Sequence, residues 1–216
     1  VILGVIYGNR PAFEGAGYSF LEQSFGAFST IAICAGGVMG LPLVVSDYRG
    51  KHILKRYQVT PVSPALILLV QVAIYTLYAV ISLLSLYLTA AVFFGYRFRG
   101  SPAAFLSGYL LVMVSMFSIG MMVGGVAPNA KIASIIASVL YFPMLLFSGA
   151  TLPYEIMPEV LQKFADILPL TQGIKLLKAA SLGLPITSVT GPVLIMAALA
   201  VLCVAVSLRF FKWETE

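Results

Sequence analysis

The chain has 216 residues, of which 60% are hydrophobic and 10% are charged, and its formal net charge is +5. Its mean hydropathy is +1.01. Soluble domains contain about 45–50% apolar and about 25% charged residues, so this composition excludes a water-soluble domain, a disordered tail and an ordinary nucleic-acid-binding protein. It is typical of a polytopic membrane protein.

Long uncharged runs divide the sequence. Five runs of at least 23 residues contain no Asp, Glu, Lys or Arg. Each is long enough for one membrane-spanning helix, which needs about 20 residues, and such continuous runs do not fit the strands of a membrane barrel. We therefore predict an all-α, polytopic membrane protein with a single domain over residues 1–216. The predicted spans are 24–45, 64–94, 103–127, 132–150 and 189–211.

The chain begins at Val1 with an apolar stretch that is too short to cross a membrane. We expect residues 1–8 to be the remaining part of a sixth span whose beginning is missing. No basic region precedes this stretch, so it does not have the pattern of a signal peptide.

Basic residues are concentrated in the short loop 46–62. The loop contains Arg49, Lys51, Lys55 and Arg56. Because the positive-inside rule counts most in short loops, we predict that this loop faces the cytoplasm, together with 128–131 and 212–216. The predicted location is the plasma membrane.

The same loop has helical periodicity. Ser46 or Asp47 can cap a short helix, and Pro61 helps to end it. Its apolar positions fall on one face and its basic positions on another: Ile53, Leu54 and Tyr57 against Lys51 and Lys55. Two interpretations stay open: a basic loop that only fixes topology, or an amphipathic element that docks a cytoplasmic partner.

The longest non-spanning stretch is 151–188. Apolar residues at helical spacing predict an amphipathic helix over 157–168, with Pro158 at its first position. Pro169 ends this helix, and Thr171 can cap a second one. The stretch is either an inert extracellular cap or a re-entrant hairpin that lines or closes a path.

Several kinds of site are missing from the sequence. The interiors of the spans carry no acidic or basic residue, which argues against an ion-coupled carrier and an intramembrane aspartyl protease. No GxxxxGK[ST] phosphate loop is present, so the chain shows no means of hydrolysing ATP. Cys34 and Cys203 lie in apolar runs without metal-ligand spacing, and we expect His52, the single histidine, to be a surface residue. We predict no catalytic residue, no metal and no cofactor bound by this chain.

Small residues mark close helix contacts. Gly120 and Gly124 form a GxxxG pattern, and Gly36, Gly37 and Gly40 form a small-residue face. Both patterns allow helix backbones to approach closely. We favour packing within one subunit over a dimer seam.

Two segments resemble the permease subunits of type-2 ABC transporters, an exporter-like family. The loop residues that carry the likeness are Asp47, Arg49, Gly50, Lys51, Leu54, Lys55, Arg56, Thr60 and Pro61. Those of the second, more specific segment are Ser148, Gly149, Pro153, Pro158, Pro169 and Thr171. The sequence departs from the family pattern at Gln172, where an aromatic residue is usual, and at Lys178, where Arg is.

The resemblance implies a six-span permease fold and a specific assembly. Two permease subunits, identical or related, form the path through the bilayer, and two separate ATPase subunits bind ATP and Mg. The loop residues form a coupling helix that rests on an ATPase subunit. Segment 151–175 is re-entrant and controls exit. The implied activity is export of a hydrophobic or amphipathic substrate of the drug, lipid or polysaccharide class.

Two other functions are weighed against this one. A membrane scaffold or assembly protein would bind a partner without moving a solute. A self-contained ion-coupled carrier is disfavoured by the uncharged spans.

Overall fold

The computed structural model describes residues 19–51, 64–149, 154, 157–185 and 189–210. The described part is built from helices, and five of them are long and apolar enough to cross a membrane. The predicted all-α, polytopic membrane fold is confirmed. Residues 1–8 and most of the basic loop lie outside the described residues, so the partial sixth span and the single-domain organisation stay predictions.

The spanning helices agree with the predicted spans to within five residues at each end. The first is continuous from Phe20 to Gly50 and has three parts: α1 (Phe20–Cys34), a π-helical segment (Ala35–Gly40) and α2 (Leu41–Gly50). The others are α3 (Pro64–Phe94), α4 (Pro102–Val126), α5 (Ala130–Phe147) and α8 (Thr190–Phe210). Two shorter helices precede α8: α6 (Glu159–Ile167) and α7 (Pro169–Leu182).

Polar side chains fix where several helices begin. The Ser19 hydroxyl accepts a hydrogen bond from the Glu22 amide at 3.2 Å, and the Glu22 carboxylate accepts one from the Ser19 amide at 2.8 Å. This reciprocal pair is a capping box. Ser101 caps α4 and Asn129 caps α5 through their side-chain oxygens. We call the end of the bundle that contains Gly50 the loop end, and the end that contains Ser19 the far end.

The π-helical segment has a local cause. Pro42 has no N–H to donate to the carbonyl of Val38, so the regular hydrogen-bond ladder is interrupted one turn before the proline. The helix widens over Ala35–Gly40, where the amide of Leu41 donates to the carbonyl of Gly36, five residues earlier. A π-helical turn of this kind absorbs an extra residue without ending the helix.

The small-residue patterns meet inside one chain. A Cβ on Gly120 would lie 1.9 Å from the carbonyl oxygen of Gly37, and one on Gly124 would lie 2.8 Å from Cβ of Val45. The GxxxG pattern of α4 therefore packs against the first spanning helix, as predicted. Close backbone approach of this kind lets van der Waals contact hold helices together in lipid, where the hydrophobic effect contributes little.

Candidate functional site

The predicted coupling loop begins inside a helix. Ser46 is buried, and its hydroxyl donates to the carbonyls of Pro42 at 2.7 Å and Leu43 at 3.1 Å. A cap at Ser46 or Asp47 is therefore wrong, because the Ser46 hydroxyl bonds back to the preceding turn and the spanning helix continues to Gly50. The first predicted loop residues form the last turn of α2.

Two charged residues at this end pair with each other. The Lys51 ammonium lies 2.8 Å from an Asp47 carboxylate oxygen, and the Lys51 side chain is 65% exposed. An exposed pair four residues apart on a helix contributes only a few tenths of a kcal/mol, roughly 0.3–0.5. Gly50 is exposed beside them. This edge of the loop is open to solvent on the single chain.

Arg49 is directed into its own chain. Its Nη1 donates to the carbonyls of Gly124 at 3.4 Å, Gly125, and Ala127 at 3.3 Å, all at the end of α4. The carbonyls of a helix C-terminus lack intrahelical partners and carry a partial negative charge, so they suit a guanidinium. Sequence reasoning placed Arg49 in the coupling loop but gave no sign of this internal partner.

Further contacts join the loop end to neighbouring helices. The Gln71 amide of α3 donates to the Tyr48 hydroxyl at 3.0 Å. A Cβ on Gly50 would lie 3.9 Å from Asn129, in the turn between α4 and α5. The end of α2 therefore contacts α3, α4 and the α4–α5 turn. The remaining predicted coupling residues, Leu54, Lys55, Arg56, Thr60 and Pro61, lie outside the described residues.

The second predicted segment forms two helices, with shifted boundaries. Pro158 caps α6, which begins one residue later at Glu159, so its predicted first helical position is off by one. Thr171 does not cap the second helix. Leu168 takes the cap position and Pro169 is the first residue of α7, where its fixed φ favours a helix start. Thr171 is buried as the third residue, and its hydroxyl has no hydrogen-bond partner in the part of the chain that the structure describes.

Helix α7 starts deep in the bundle and runs towards the far end. A Cβ on Gly173 would lie 2.9 Å from Thr30 and 3.2 Å from Val112. Thr30 and Val112 are each about ten residues, or about 15 Å, from the far ends of α1 and α4. Near the other end of α7, the Gly100 amide donates to the carbonyl of Ser181 at 3.0 Å. Helix α7 is therefore inserted among the spanning helices and does not lie across their ends.

The turn after α5 begins at Ser148 and Gly149. Ser148 is buried at the end of α5, and its hydroxyl donates to the carbonyl of Leu145 at 3.3 Å. Gly149 follows with φ of 83°, a left-handed conformation that glycine adopts without steric cost. Its Cα faces Tyr154, since an added Cβ would lie 3.2 Å from Cβ of that tyrosine. Pro153 lies outside the described residues.

A polar cluster holds α6 to α7. Asp166 accepts hydrogen bonds from the Lys175 ammonium at 2.6 Å and from the Tyr154 hydroxyl at 2.9 Å. The same ammonium lies 4.0 Å from the centroid of the Tyr154 ring, within the range of a cation–π contact. The Gln172 amide donates to the backbone carbonyl of Asp166 at 2.6 Å. Lys175 and Asp166 remain one-third to two-fifths exposed on the single chain.

An apolar groove of about 300 Å³ opens between α3, α4 and α8. Its walls include Val72, Met113, Phe117 and Val204. The hydroxyls of Thr76 and Ser118 also line it, but each donates to a carbonyl of its own helix. The groove is therefore suited to an apolar group. Among the described residues there is no cluster of His, Cys, Asp and Glu that could hold a metal ion.

Residues 1–182 match the family model of the ABC-2 type transporter. The chain belongs to the ABC-2 type transporter family. As a member of that family it is a membrane subunit of a transporter, and its helices make it a multi-pass membrane protein.

Curated relatives of this ABC-2 chain include a nodulation protein and a transport permease, both bacterial. Nodulation protein J of Neorhizobium galegae is 32% identical over 101 residues, which are 47% of this chain and 36% of the relative. The inner membrane transport permease YhhJ of Escherichia coli (strain K12) is 27% identical over 122 residues, which are 56% of this chain and 33% of the relative. The matched part thus spans about a third of the length of these relatives. No solved structure matches the chain significantly.

Sequence reasoning found the two segments of this ABC-2 chain but not all of the contacts that their residues make. The structure places Gly149 in the turn after α5, Pro158 before α6 and Pro169 at the start of α7, and it places Asp47, Arg49, Gly50 and Lys51 at the loop end of the bundle. The cluster of Tyr154, Asp166 and Lys175 was missed. A charged pair in a stretch between two spans was the available signal, but spacing alone did not show that the two side chains meet.

Proposed function

We propose that this chain is the permease subunit of an ATP-driven exporter in the plasma membrane. Two permease subunits, identical or related, surround the path, and two separate ATPase subunits dock at the loop end, which faces the cytoplasm. ATP and Mg are bound by the ATPase subunits, and this chain is not an enzyme. The family membership supports the transporter role, and the contacts of Arg49 support transmission from the loop.

The first spanning helix connects the two candidate regions. It is 31 residues long, or about 46 Å, and it runs from Gly50 at the loop end to Phe20 at the far end. Helix α7 rests on its far half at Gly26 and Thr30. A displacement of the loop therefore reaches the re-entrant helix through one continuous element, and the π-helical segment between the two halves is where that element can bend.

ATP drives this change only through differential affinity. A ligand shifts a conformational equilibrium by as much as its binding free energy differs between the two states. ATP bound between the ATPase subunits favours one arrangement of those subunits, and the docked loop carries that preference into the helices. The polar cluster of Asp166, Lys175 and Tyr154 keeps the hairpin closed in the other arrangement.

The cargo is hydrophobic or amphipathic, of the drug, lipid or polysaccharide class. The interiors of the spanning helices contain no charge, and the groove between α3, α4 and α8 is lined mainly by apolar side chains, with the hydroxyls of Thr76 and Ser118 bonded to carbonyls of their own helices. Such surfaces give no compensation for the desolvation of a bare ion. A lipid-linked sugar or an amphipathic drug avoids that cost in its apolar part.

The experiment is a nucleotide-dependent labelling assay on the complete transporter. Glu159→Cys places an exposed thiol on α6, while Cys34 and Cys203 are buried and stay silent. We expect ATP to change the rate at which the thiol at position 159 is labelled. A non-hydrolysable ATP analogue is the comparison. The matched control is Arg97→Cys, which is exposed at the far end but outside the hairpin.

Equal labelling of Glu159→Cys with and without nucleotide, in a complex that still contains the ATPase subunits, would contradict the proposal. That result would favour a scaffold that binds a partner without moving a solute.

A further inference from the structure

We infer that Arg49 is a positioning residue that fastens the end of α2 to the end of α4, so that these two helices move as one body. This Arg49 link is defined by the three carbonyls that its guanidinium contacts: those of Gly124, Gly125 and Ala127. Its consequence for transport rests on the proposed function. The link itself rests on the geometry of this chain.

The sequence leaves these carbonyls in need of a donor. A regular helix would satisfy the Gly124 carbonyl with the amide of residue 128, but residue 128 is Pro and has no N–H. The Ala127 amide donates to the carbonyl of Val123 at 2.9 Å, which leaves the later carbonyls outside the helical ladder. The last turn of α4 also contains no basic residue of its own. Arg49 supplies both the missing donor and the positive charge from another helix.

The chemistry of the side chain matters. A guanidinium presents several N–H groups in a fixed plane and keeps its charge at every physiological pH, whereas an ammonium is a compact, strongly hydrated point charge. Charge-assisted hydrogen bonds are roughly twice as strong as neutral ones. All three carbonyls lie around one atom, Nη1, so the charged nitrogen is the group that matters, and a neutral glutamine amide replaces it less well than a lysine ammonium does.

The α2–α4 interface beside the Arg49 link is packed too closely for the two helices to slide past each other. Gly124 lies against Val45 and Pro42, where an added Cβ would meet Cβ of Val45 at 2.8 Å and Cα of Pro42 at 3.1 Å. One turn further from the loop end, Gly120 meets the carbonyl of Gly37. Close packing along one face and the Arg49 link at its end together join α2 to α4.

The neighbouring basic residue provides a contrast. Lys51 pairs with Asp47 of its own helix and is largely exposed. A change at Lys51 therefore alters the surface offered to a partner, whereas a change at Arg49 alters how the loop end is attached to α4. The two positions are separated by one residue, so the pair is a matched comparison.

The link also shortens the route to the hairpin. Helix α4 contacts α7 directly, since Gly108 lies against Leu176 and Leu177, and Val112 lies against Gly173. A loop displacement thus reaches α7 through α4 as well as along the first spanning helix. Without the link, the loop end of α2 is held to α4 by close packing alone.

A cross-linking assay tests the link without any partner. A Cβ on Gly50 would lie 3.9 Å from Cβ of Asn129, within the range for a disulfide. In the doubly substituted chain, Gly50→Cys with Asn129→Cys, we expect efficient oxidation to an internal disulfide. Adding Arg49→Gln should lower the rate about tenfold, Arg49→Lys by less, and Lys51→Gln should leave it unchanged. Equal rates with Arg49 and with Arg49→Gln overturn the inference.

The complete transporter gives the second readout. The Arg49→Gln chain should still co-purify with the ATPase subunits, but it should lose the nucleotide-dependent labelling of Glu159→Cys. The Gly50–Asn129 disulfide should restore that dependence in the Arg49→Gln chain. Loss of ATPase co-purification in Arg49→Gln, with retention in Lys51→Gln, would show that Arg49 contacts the partner directly and would overturn the inference.

The proposed function and the Arg49 link can be disproved independently of each other. If the unsubstituted chain binds no ATPase subunit, the proposed function fails, while the cross-linking rates still decide whether Arg49 holds α2 to α4.

Discussion

Gly37 and Gly120 touch backbone to backbone, because a Cβ on Gly120 would lie 1.9 Å from the carbonyl oxygen of Gly37. The contact joins the π-helical segment to the middle of α4, and it places the two helices closer than any side chain would allow. A single added methyl group is therefore expected to be costly at this point of the bundle.

We expect Gly120→Ala to destabilise the detergent-solubilised protein by about 3 kcal/mol or more, because a backbone carbonyl cannot yield as a side chain can. The measurement is thermal or denaturant unfolding. The control is Gly108→Ala in the same helix, where the nearest atoms are the flexible ends of Leu176 and Leu177 at 3.4 Å. A Gly120→Ala protein as stable as Gly108→Ala would contradict the close contact.

The packing of α7 on the first spanning helix is tested at Gly26. A Cβ there would lie 2.6 Å from the backbone nitrogen of Lys178, so Gly26→Ala should displace α7. We expect faster hydrogen exchange of the α7 amides, measured by mass spectrometry, with less change in α4. Gly36→Ala is the matched control in the same spanning helix, since its nearest neighbour is the Tyr75 ring at 3.3 Å. Unchanged hydrogen exchange of the α7 amides in both variants would argue against the observed packing of α7 on the first spanning helix.

The ion pair of the hairpin is tested by a double-mutant cycle. Asp166 and Lys175 are partly exposed, so solvent screens them and the coupling free energy should be modest, about 0.5–1 kcal/mol. The cycle uses Asp166→Asn, Lys175→Gln and both together, with unfolding as the measurement. A coupling energy of zero at low salt would mean that the pair does not hold α6 to α7.

The role of Tyr154 separates into two contacts. Tyr154→Phe removes the hydroxyl that donates to Asp166 but keeps a ring beneath the Lys175 ammonium. Tyr154→Leu removes both contacts. We expect the Leu variant to be less stable than the Phe variant by about 0.5–1 kcal/mol, the usual size of an exposed cation–π contact. Equal unfolding temperatures of the two variants would show that the ring contact with Lys175 adds no stability. The hydroxyl would then be the stabilising group of Tyr154.

Tyr96 gives a prediction for alkaline pH. It lies outside the spanning helices, and burial raises the pKa of its phenol, with a smaller contribution from the negative charge of Glu22. The folded state therefore holds this proton more tightly than the unfolded state. Stability is fully present below the ordinary tyrosine pKa of about 10 and falls as the pH rises above it.

We expect Tyr96→Phe to flatten that loss, because phenylalanine has no proton to release. The measurement is the unfolding temperature between pH 9 and pH 11, roughly one unit on either side of the ordinary pKa. An unchanged slope in Tyr96→Phe would show that other groups control alkaline stability.

The sequence by itself determined the spanning helices. Exclusion of charge over about 20 residues is a property of local composition. Each backbone segment in lipid must also satisfy its own hydrogen bonds, which favours a helix. The uncharged runs therefore predict the spanning helices α3, α4, α5 and α8. The small-residue patterns at Gly37 and Gly120 also belong to the sequence, because only glycine permits that approach. The likeness to type-2 ABC transporter permeases marked the two segments of the candidate site.

Only the tertiary structure decided which residues in those segments meet. Arg49 bonds to carbonyls 75 to 78 residues away, and its partners became available because Pro128 interrupts a different helix. Ser46 and Thr171 look like caps in sequence, but the first lies within a continuing helix and the second within α7. Local spacing shows which side chains can form a bond. The packing of distant helices decides which partner is within reach, and that depends on the path of the whole chain.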